Sequence, residues 1–365
     1  MKTLMPNYDD CIVNLANSVM NYFDLPTNHD TLKDVDEILN DRQPKNIVVM
    51  LCDGMGTNIM KRALESDDFL VKHFKRSISS VLPPTTTAST TSMTSGLYPC
   101  EHGWIGWDVY IKPEDKIVTL YTNCLKDTET QAAEYNVART HMPFKDITDR
   151  INEETENSSV SLYPFGENPY SDFDDLCSRI LKESKKDGKK YIYGYHPNPD
   201  SLMHDYGTDS KEAVECIRQI NEKLEDLSKQ LEDSVLIVVA DHGHMNCDTI
   251  VLSDYPDIFD LLEKDIWIEG RTTSFAVKEG KKEEFVKLFN KYFSEHFILK
   301  TKEEVFEEKL FGYGQYHKYF ESEIGDFVSI VISNKDLRYD EKTPKFASVH
   351  AGITEDEVLI PLIIV

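Results

Sequence analysis

Asp241 and His242 end the apolar run VLIVVAD, and Gly243 and His244 follow at once in VVADHGHMN, an abrupt change from core-forming to metal-ligating residue types. Three other segments behave alike. Asp53 follows IVVMLC, Asp200 and His204 follow YIYGYHPNP, and His350 precedes the C-terminal apolar segment in SVHAGITEDEV. A lone aspartate beyond a strand commonly caps the next helix, and a lone histidine more often packs than ligates. Three aspartates and three histidines on four such ends point instead to bound metal. Mixed carboxylate and imidazole donors suit Zn2+ or Mn2+ better than the all-oxygen sites of Ca2+. Asp200 and His204 stand four residues apart, so one helical turn brings both to the same ion. Asp241 and His242 are adjacent, and Gly243 is expected to supply the bend that lets both face one site.

Such a centre lacks a nucleophile. Thr85, Thr86 and Thr87 follow a Pro-Pro pair and open the small-residue run TTTASTTSMTSG. That is a helix N-terminus by pattern, where free N–H groups and the helix dipole favour an anion. A hydroxyl there becomes a nucleophile when a divalent cation stabilises its alkoxide. The competing reading is plain N-capping, and the residues themselves leave the three threonines equivalent.

The elements that must position these groups are legible as an alternation. KNIVVMLCDGMG (45–56), SISSVLPP (77–84), VSLYPF (160–165), KYIYGYH (190–196) and VLIVVAD (235–241) read as strands, with helices expected at 172–187 and 209–233. Strand, helix, strand, helix predicts an α/β fold with a mostly parallel central sheet and helices on both faces, whose ligands gather beyond the carboxyl ends of the strands. Residues 8–40 read as helical, with Ile12, Leu15, Val19 and Phe23 on one stripe. The expected division is an N-terminal helical segment (1–44) packed on a catalytic core (45–245 plus 346–365). A smaller α/β insertion (246–345) precedes a last strand that belongs to the main sheet.

Composition narrows the partners. The 365 residues carry 65 acidic against 40 basic side chains, a formal charge of −25. That charge repels polyanions, so no stable nucleic-acid binding is expected, and an anionic ligand needs local cations to hold it. The opening segment has no apolar stretch of signal-peptide length and no segment resembles a membrane span, which sets the expectation of a soluble, cytoplasmic protein. The seven cysteines form no CxxC pair and read as reduced thiols.

Five blocks in this order, VVMLCDGMG, LPPTTTASTTSMTSGLYPCEHGW, YHPNPDSLMHDYG, VVADHGH and VHAGITEDEVLIPLIIV, resemble the type I phosphodiesterase and nucleotide pyrophosphatase branch of the alkaline phosphatase superfamily. The resemblance implies an alkaline-phosphatase-like sheet and two divalent metal ions, Zn2+ with Mn2+ as the alternative. Asp53, Asp241 and His242 with the nucleophile would hold one ion, and Asp200, His204 and His350 the other. Counted back from GLYP, the family's nucleophile falls on Thr86, which would attack phosphorus and form a covalent phospho- or nucleotidyl-threonine. The family's phosphate-binding asparagine is replaced here by Trp107, with Asp108 beside it. Trp104, Trp107 and Tyr110 are candidates to stack on a base or to pack beneath the rim. Arg271 would meet a phosphate or, the preferred reading, pair with a carboxylate. His244 is expected to support or line the site, and His102 to support its loop.

The function this predicts is metal-dependent hydrolysis of a phosphodiester or pyrophosphate bond in a small nucleotide-like substrate. Phosphonoacetate hydrolase or phosphomonoesterase activity at the same centre is the alternative within the superfamily. A metal-stabilised binding protein without turnover is the alternative of another class. A sulfatase is disfavoured because no CxPSR-like segment is present, and a phosphoglycerate mutase because Thr86 and Asp200 are too close in sequence for its inserted domain.

Overall fold

Asn46–Cys52 reads NIVVMLC, and all seven side chains are buried. Continuous rather than alternating apolar character is what a parallel strand covered on both faces requires. In the computed structural model, which describes residues 1–365, this strand is β1, in the middle of a six-stranded sheet. The order is β2 (Phe74–Ser79), β17 (Leu359–Ile364), β8 (Ser234–Val239), β1, β7 (Lys190–His196) and β6 (Ser158–Leu162). β8, β1, β7 and β6 are mutually parallel. β17 runs antiparallel to both of its neighbours, β8 and β2. This is the mostly parallel α/β sheet expected, with one reversed strand.

The reversal has a geometric consequence. A strand that runs the other way is entered at the edge where the parallel strands finish, so the segment leading from His350 into β17 arrives beside the ends of β1, β7 and β8. β2 finishes at that edge too, since its last residue, Ser79, pairs with Leu359 at the start of β17. The chain from Ser79 to Thr86 therefore begins there.

A second sheet forms the other wall. Its seven strands run in the order β13 (Phe297–Thr301), β14 (Phe327–Val331), β12 (Thr272–Phe275), β11 (Trp267–Ile268), β3 (Asp108–Ile111), β4 (Lys116–Thr119) and β5 (Cys124–Leu125). All its pairings are antiparallel. The 246–345 stretch supplies four of these strands. β3, β4 and β5 come from the stretch read as core, and the Ile268–Asp108 pairing joins them to the rest. Phe285, Phe289 and Phe293, at helical spacing on Lys282–Phe293, pack with Phe275, Phe297 and Phe327 in a separate apolar core for this unit. Burying side chains of this size stabilises by about 1.5–3 kcal/mol each. Two short ladders, β9 (Met245–Asn246) with β16 (Ser348–Val349) and β10 (Asp248–Val251) with β15 (Lys335–Arg338), complete the strands.

Residues 8–40 are not one helix. Ile12–Tyr22 buries the predicted stripe, and the chain then breaks before a second helix, Lys33–Arg42. Asp24 takes a left-handed φ of 59° and Pro26 follows, so the helix cannot continue. No helix is long and apolar enough to cross a membrane. All seven cysteines are free thiols.

Candidate metal centre

The four strand ends converge. Asp53 follows β1 directly, and its N–H donates to the His196 carbonyl at the end of β7 (2.9 Å). Asp241 follows β8 after one intervening residue, Ala240. Its Oδ1 accepts N–H groups from Gly54 (3.1 Å) and His242 (2.9 Å), while its buried Oδ2 has no hydrogen-bond partner. The Nε2 of His242 lies 3.3 Å from Asp53 Oδ1 and 3.4 Å from that Asp241 Oδ2. Gly243 does not act as expected. Its φ is not left-handed, and its missing side chain serves close approach instead, because a Cβ there would lie 1.8 Å from the Asp356 carbonyl oxygen. The Gly243 N–H donates to the next carbonyl, that of Glu357 (2.8 Å).

The second group is built on the helix Asp200–Tyr206 that follows β7. The expected four-residue pairing is present, with His204 Nε2 3.5 Å from Asp200 Oδ1. His350 Nε2 is 3.8 Å from the same oxygen, and the His350 ring stacks on His242 with centroids 3.9 Å apart. His244 joins them, its Nε2 2.5 Å from Asp200 Oδ1. Asp53, Asp241 and His242 thus form one cluster of potential ligands, and Asp200, His204, His244 and His350 form another.

The donor set fits two cations. His242 Nδ1 is bonded to the Gly243 carbonyl (3.0 Å) and His204 Nδ1 to the Ser348 carbonyl (2.9 Å). A carbonyl only accepts, so both Nδ1 atoms carry hydrogen, and each Nε2 is the atom left to take a cation, a proton or in its place a metal ion. Ser348 Oγ donates to the Met203 carbonyl (2.6 Å) and so accepts from His244 Nδ1 (3.0 Å). His244 Nε2 therefore faces the Asp200 carboxylate at 2.5 Å, a contact that calls for a cation, a proton or a metal ion, at or beside the two atoms. Titration points the same way. Burial, then the Asp53 charge, drives the Asp241 carboxyl well above the carboxylate range, and burial, then Asp200, raises Asp53. Burial opposes a charge on His242, but Asp241 and Asp53 hold its imidazole up to about 10. Buried acids left this short of positive charge are what dications neutralise.

Only one threonine of the three reaches this centre. Thr86 Oγ1 lies 3.2 Å from His242 Nε2 and 3.5 Å from Asp53 Oδ1. Thr86 starts the ten-residue helix Thr86–Ser95 and is 8% exposed, whereas Thr85 and Thr87 are fully buried. Thr85 Oγ1 turns away to Glu269 (2.6 Å), and Thr87 Oγ1 has no partner. His102 accepts the Trp104 N–H (3.0 Å) and bonds Ser92 on this helix (3.1 Å), a loop support as expected.

A cavity of about 390 Å³ opens from Thr86, Asp200, His204 and His350 toward the second sheet. Trp107, 41% exposed, lines it beside Asp108. Trp104 and Tyr110 do not, being packed against Phe144 and Trp267 respectively. Arg271 is removed from any substrate role by its burial. Fully enclosed, it forms a two-bond pair with Glu357 (2.6 and 2.8 Å) and bonds the Lys335 and Ser333 carbonyls. It pairs with a carboxylate as preferred, but in the core.

Two residues here went unnoticed in the sequence. Glu269 projects into the cavity wall, and Tyr195, within β7, donates its hydroxyl to Asp53 Oδ2 (2.5 Å). The phenol leaves Asp53 Oδ1 as the oxygen facing Thr86 and His242. Tyr195→Phe is expected to weaken metal binding at the Asp53 cluster by about 10- to 100-fold. Chelator competition measures this, and an unchanged affinity would deny Tyr195 the orienting role.

The type I phosphodiesterase / nucleotide pyrophosphatase family matches residues 47–352. Ectonucleotide pyrophosphatase/phosphodiesterase 2 of Saccharomyces cerevisiae is 28% identical over 191 residues, covering 45% of this chain. The match spans 38% of that relative's length. Among solved structures, murine ectonucleotide pyrophosphatase/phosphodiesterase 5 superposes with a TM-score of 0.66 at 18% identity, over 87% of each chain. The human protein of the same name gives 0.66 at 17% identity over the same shares. The murine protein as an inactive threonine-to-alanine variant in complex with AMP gives 0.65 at 18% identity, again over 87% of each chain. At these identities the structural likeness establishes the shared fold.

Proposed function

The chain belongs to the type I phosphodiesterase / nucleotide pyrophosphatase family, within a superfamily of metal-dependent hydrolases, and from that premise we propose that it hydrolyses a phosphodiester or pyrophosphate bond of a small nucleotide-like substrate with Thr86 as nucleophile. The observation that carries this is the placement of Thr86 Oγ1, alone of the three hydroxyls, against His242 Nε2 and Asp53 Oδ1 at 3.2 and 3.5 Å. The relative that binds AMP as an inactive threonine-to-alanine variant supports the same reading. Thr86 Oγ1 bonds to phosphorus as the bond to the leaving oxygen breaks, and water then cleaves the threonine ester and restores the hydroxyl. N–H groups at the start of Thr86–Ser95 face the phosphoryl oxygens. Two bound dications would stabilise the attacking and leaving oxygens. Asp53, Asp241 and His242 would hold one, and Asp200, His204 and His350 the other, with His244 as a further donor to Asp200's ion. The nitrogen and oxygen donors favour zinc, with manganese as the alternative.

The test is hydrolysis of bis-p-nitrophenyl phosphate and p-nitrophenyl phosphate by protein loaded with Zn2+ or Mn2+. The diester is expected to react faster, chelation to abolish the reaction, and re-addition of metal to restore it. A faster monoester would replace the phosphodiesterase reading with a phosphomonoesterase, and turnover of phosphonoacetate alone with a phosphonate hydrolase. Metal content without turnover of any of the three would leave a binding protein.

A further inference from the structure

Glu269 follows β11 and ties both walls of the cavity together. Its Oε1 accepts from the Thr85 hydroxyl at 2.6 Å and from the Trp107 N–H at 2.9 Å. Thr85 immediately precedes Thr86, and Trp107 immediately precedes β3. Both donors converge on one oxygen, which leaves Oε2 as the atom available to whatever enters the cavity that Glu269 shares with Thr86. No lysine or arginine forms an ion pair with this carboxyl. The two cationic side chains of the cavity are committed elsewhere, Lys126 to Asp265 (2.7 Å) and the Ile266 carbonyl (2.8 Å), and Arg338 to Asp336. An ionised, unpaired carboxylate at this place would repel the phosphoryl group that Thr86 is positioned to attack. A neutral carboxylic acid would instead donate a hydrogen bond to it.

We propose that Glu269 acts as a neutral acid, donating Oε2–H to a non-bridging oxygen of the phosphoryl group beside Thr86. The inference rests on the phosphodiesterase reading above and adds the residue that contacts the reacting group from the side of the second sheet. The proton stays on Glu269 throughout, so no transfer step is involved. Burial raises this carboxyl to about 7 against the Thr85 hydrogen bond, and Asp108 adds to the rise. The other charged groups facing it are Lys126 and Asp127 beyond β5 and Asp336 and Arg338 on β15, together with the aspartate and histidine ligands across the cavity.

Glu269→Gln and Glu269→Ala separate the roles, because glutamine keeps both the acceptor for Thr85 and Trp107 and a donor toward the cavity, but does not ionise. The readout is the affinity of bis-p-nitrophenyl phosphate, singly charged throughout, for metal-loaded Thr86→Ala protein by calorimetry. From the acid side of the Glu269 ionisation to its alkaline side, the Thr86→Ala protein is expected to lose about 10- to 30-fold in affinity. With Glu269→Gln added, affinity should hold within about 2-fold across that range, near the acidic value, and with Glu269→Ala it should be weak at both ends. With Thr86 intact, Glu269→Gln should likewise remove the alkaline fall in kcat/KM. Glutamine as damaging as alanine, or a pH dependence that survives in the glutamine variant, overturns the proposal. So does an alanine variant that binds as tightly as glutamine. If the Thr86 enzyme cleaves no diester, the phosphodiesterase reading falls, while the binding arms still decide whether Glu269 touches the phosphoryl group.

Discussion

Thr86→Ala is expected to lower kcat for diester hydrolysis by about 10⁴-fold or more while both metals stay bound. The argument is one of position. The carboxylates and imidazoles that make up both ligand clusters come from other residues, so alanine removes the attacking oxygen and leaves those donors in place. Ser89, Thr90 and Ser92 continue the helix behind it unchanged. Metal content by elemental analysis and kcat on bis-p-nitrophenyl phosphate are the two measurements. Thr87→Ala serves as the control, because its hydroxyl has no partner and does not face the centre. Residual activity above one percent in Thr86→Ala would take the nucleophile's role from Thr86.

The second large effect concerns stability. Arg271→Met is expected to cost about 3–5 kcal/mol, measured by denaturant unfolding, since it strands the Glu357 carboxylate in the core. Glu357 also accepts the Gly352 N–H (2.7 Å) and the Thr354 hydroxyl (2.7 Å). It therefore secures the loop that follows His350, and metal affinity at the Asp200 cluster should fall with stability. The pH dependence has a definite sign. Burial tends to raise the Glu357 carboxyl, but the Arg271 guanidinium more than offsets this and holds it below its usual value of 4.5. The wild-type pair contributes fully above that pH and loses its contribution as pH falls below it. In Arg271→Met the stranded carboxyl is relieved by taking up a proton, so the difference between the two proteins narrows on acidification. Arg271→Met/Glu357→Gln should recover part of the loss, because it removes the uncompensated charge. Equal stability of wild type and Arg271→Met would refute the account.

The candidate ligands were legible because chemistry and topology announce them together. Asp53, Asp200 and Asp241 each stand just past an apolar run, and strand ends are where such a sheet gathers its polar groups. Residue type alone left Thr85, Thr86 and Thr87 equivalent, and only the family resemblance singled out Thr86, since the difference lies in the turn into Thr86–Ser95, which directs successive hydroxyls to Glu269, to His242 and into the core. Tyr195 was hidden for another reason. In a strand buried on both faces, alternation carries no information, and YIYGYH gives no sign of which tyrosine has a polar partner. Glu269 was hidden by distance, because its partners Thr85 and Trp107 lie 184 and 162 residues away in the chain. The membership of β3, β4 and β5 in the second sheet was equally out of reach, because antiparallel pairing between remote segments leaves no local mark. Burial of Arg271 could not be foreseen either, since an arginine among 65 acidic residues has abundant partners at the surface.

The two walls of the cavity descend from different scaffolds. Thr86, Asp200, His204 and His350 hang from the parallel sheet, while Trp107, Asp108, Glu269 and Arg338 hang from the antiparallel sheet or its flanking ladder. Under the proposed function, the groups that break the bond and those that meet the leaving group therefore sit on separate structural units. A chimera that exchanges the antiparallel unit between relatives is then expected to change which leaving group is accepted while the groups around Thr86 keep their chemistry.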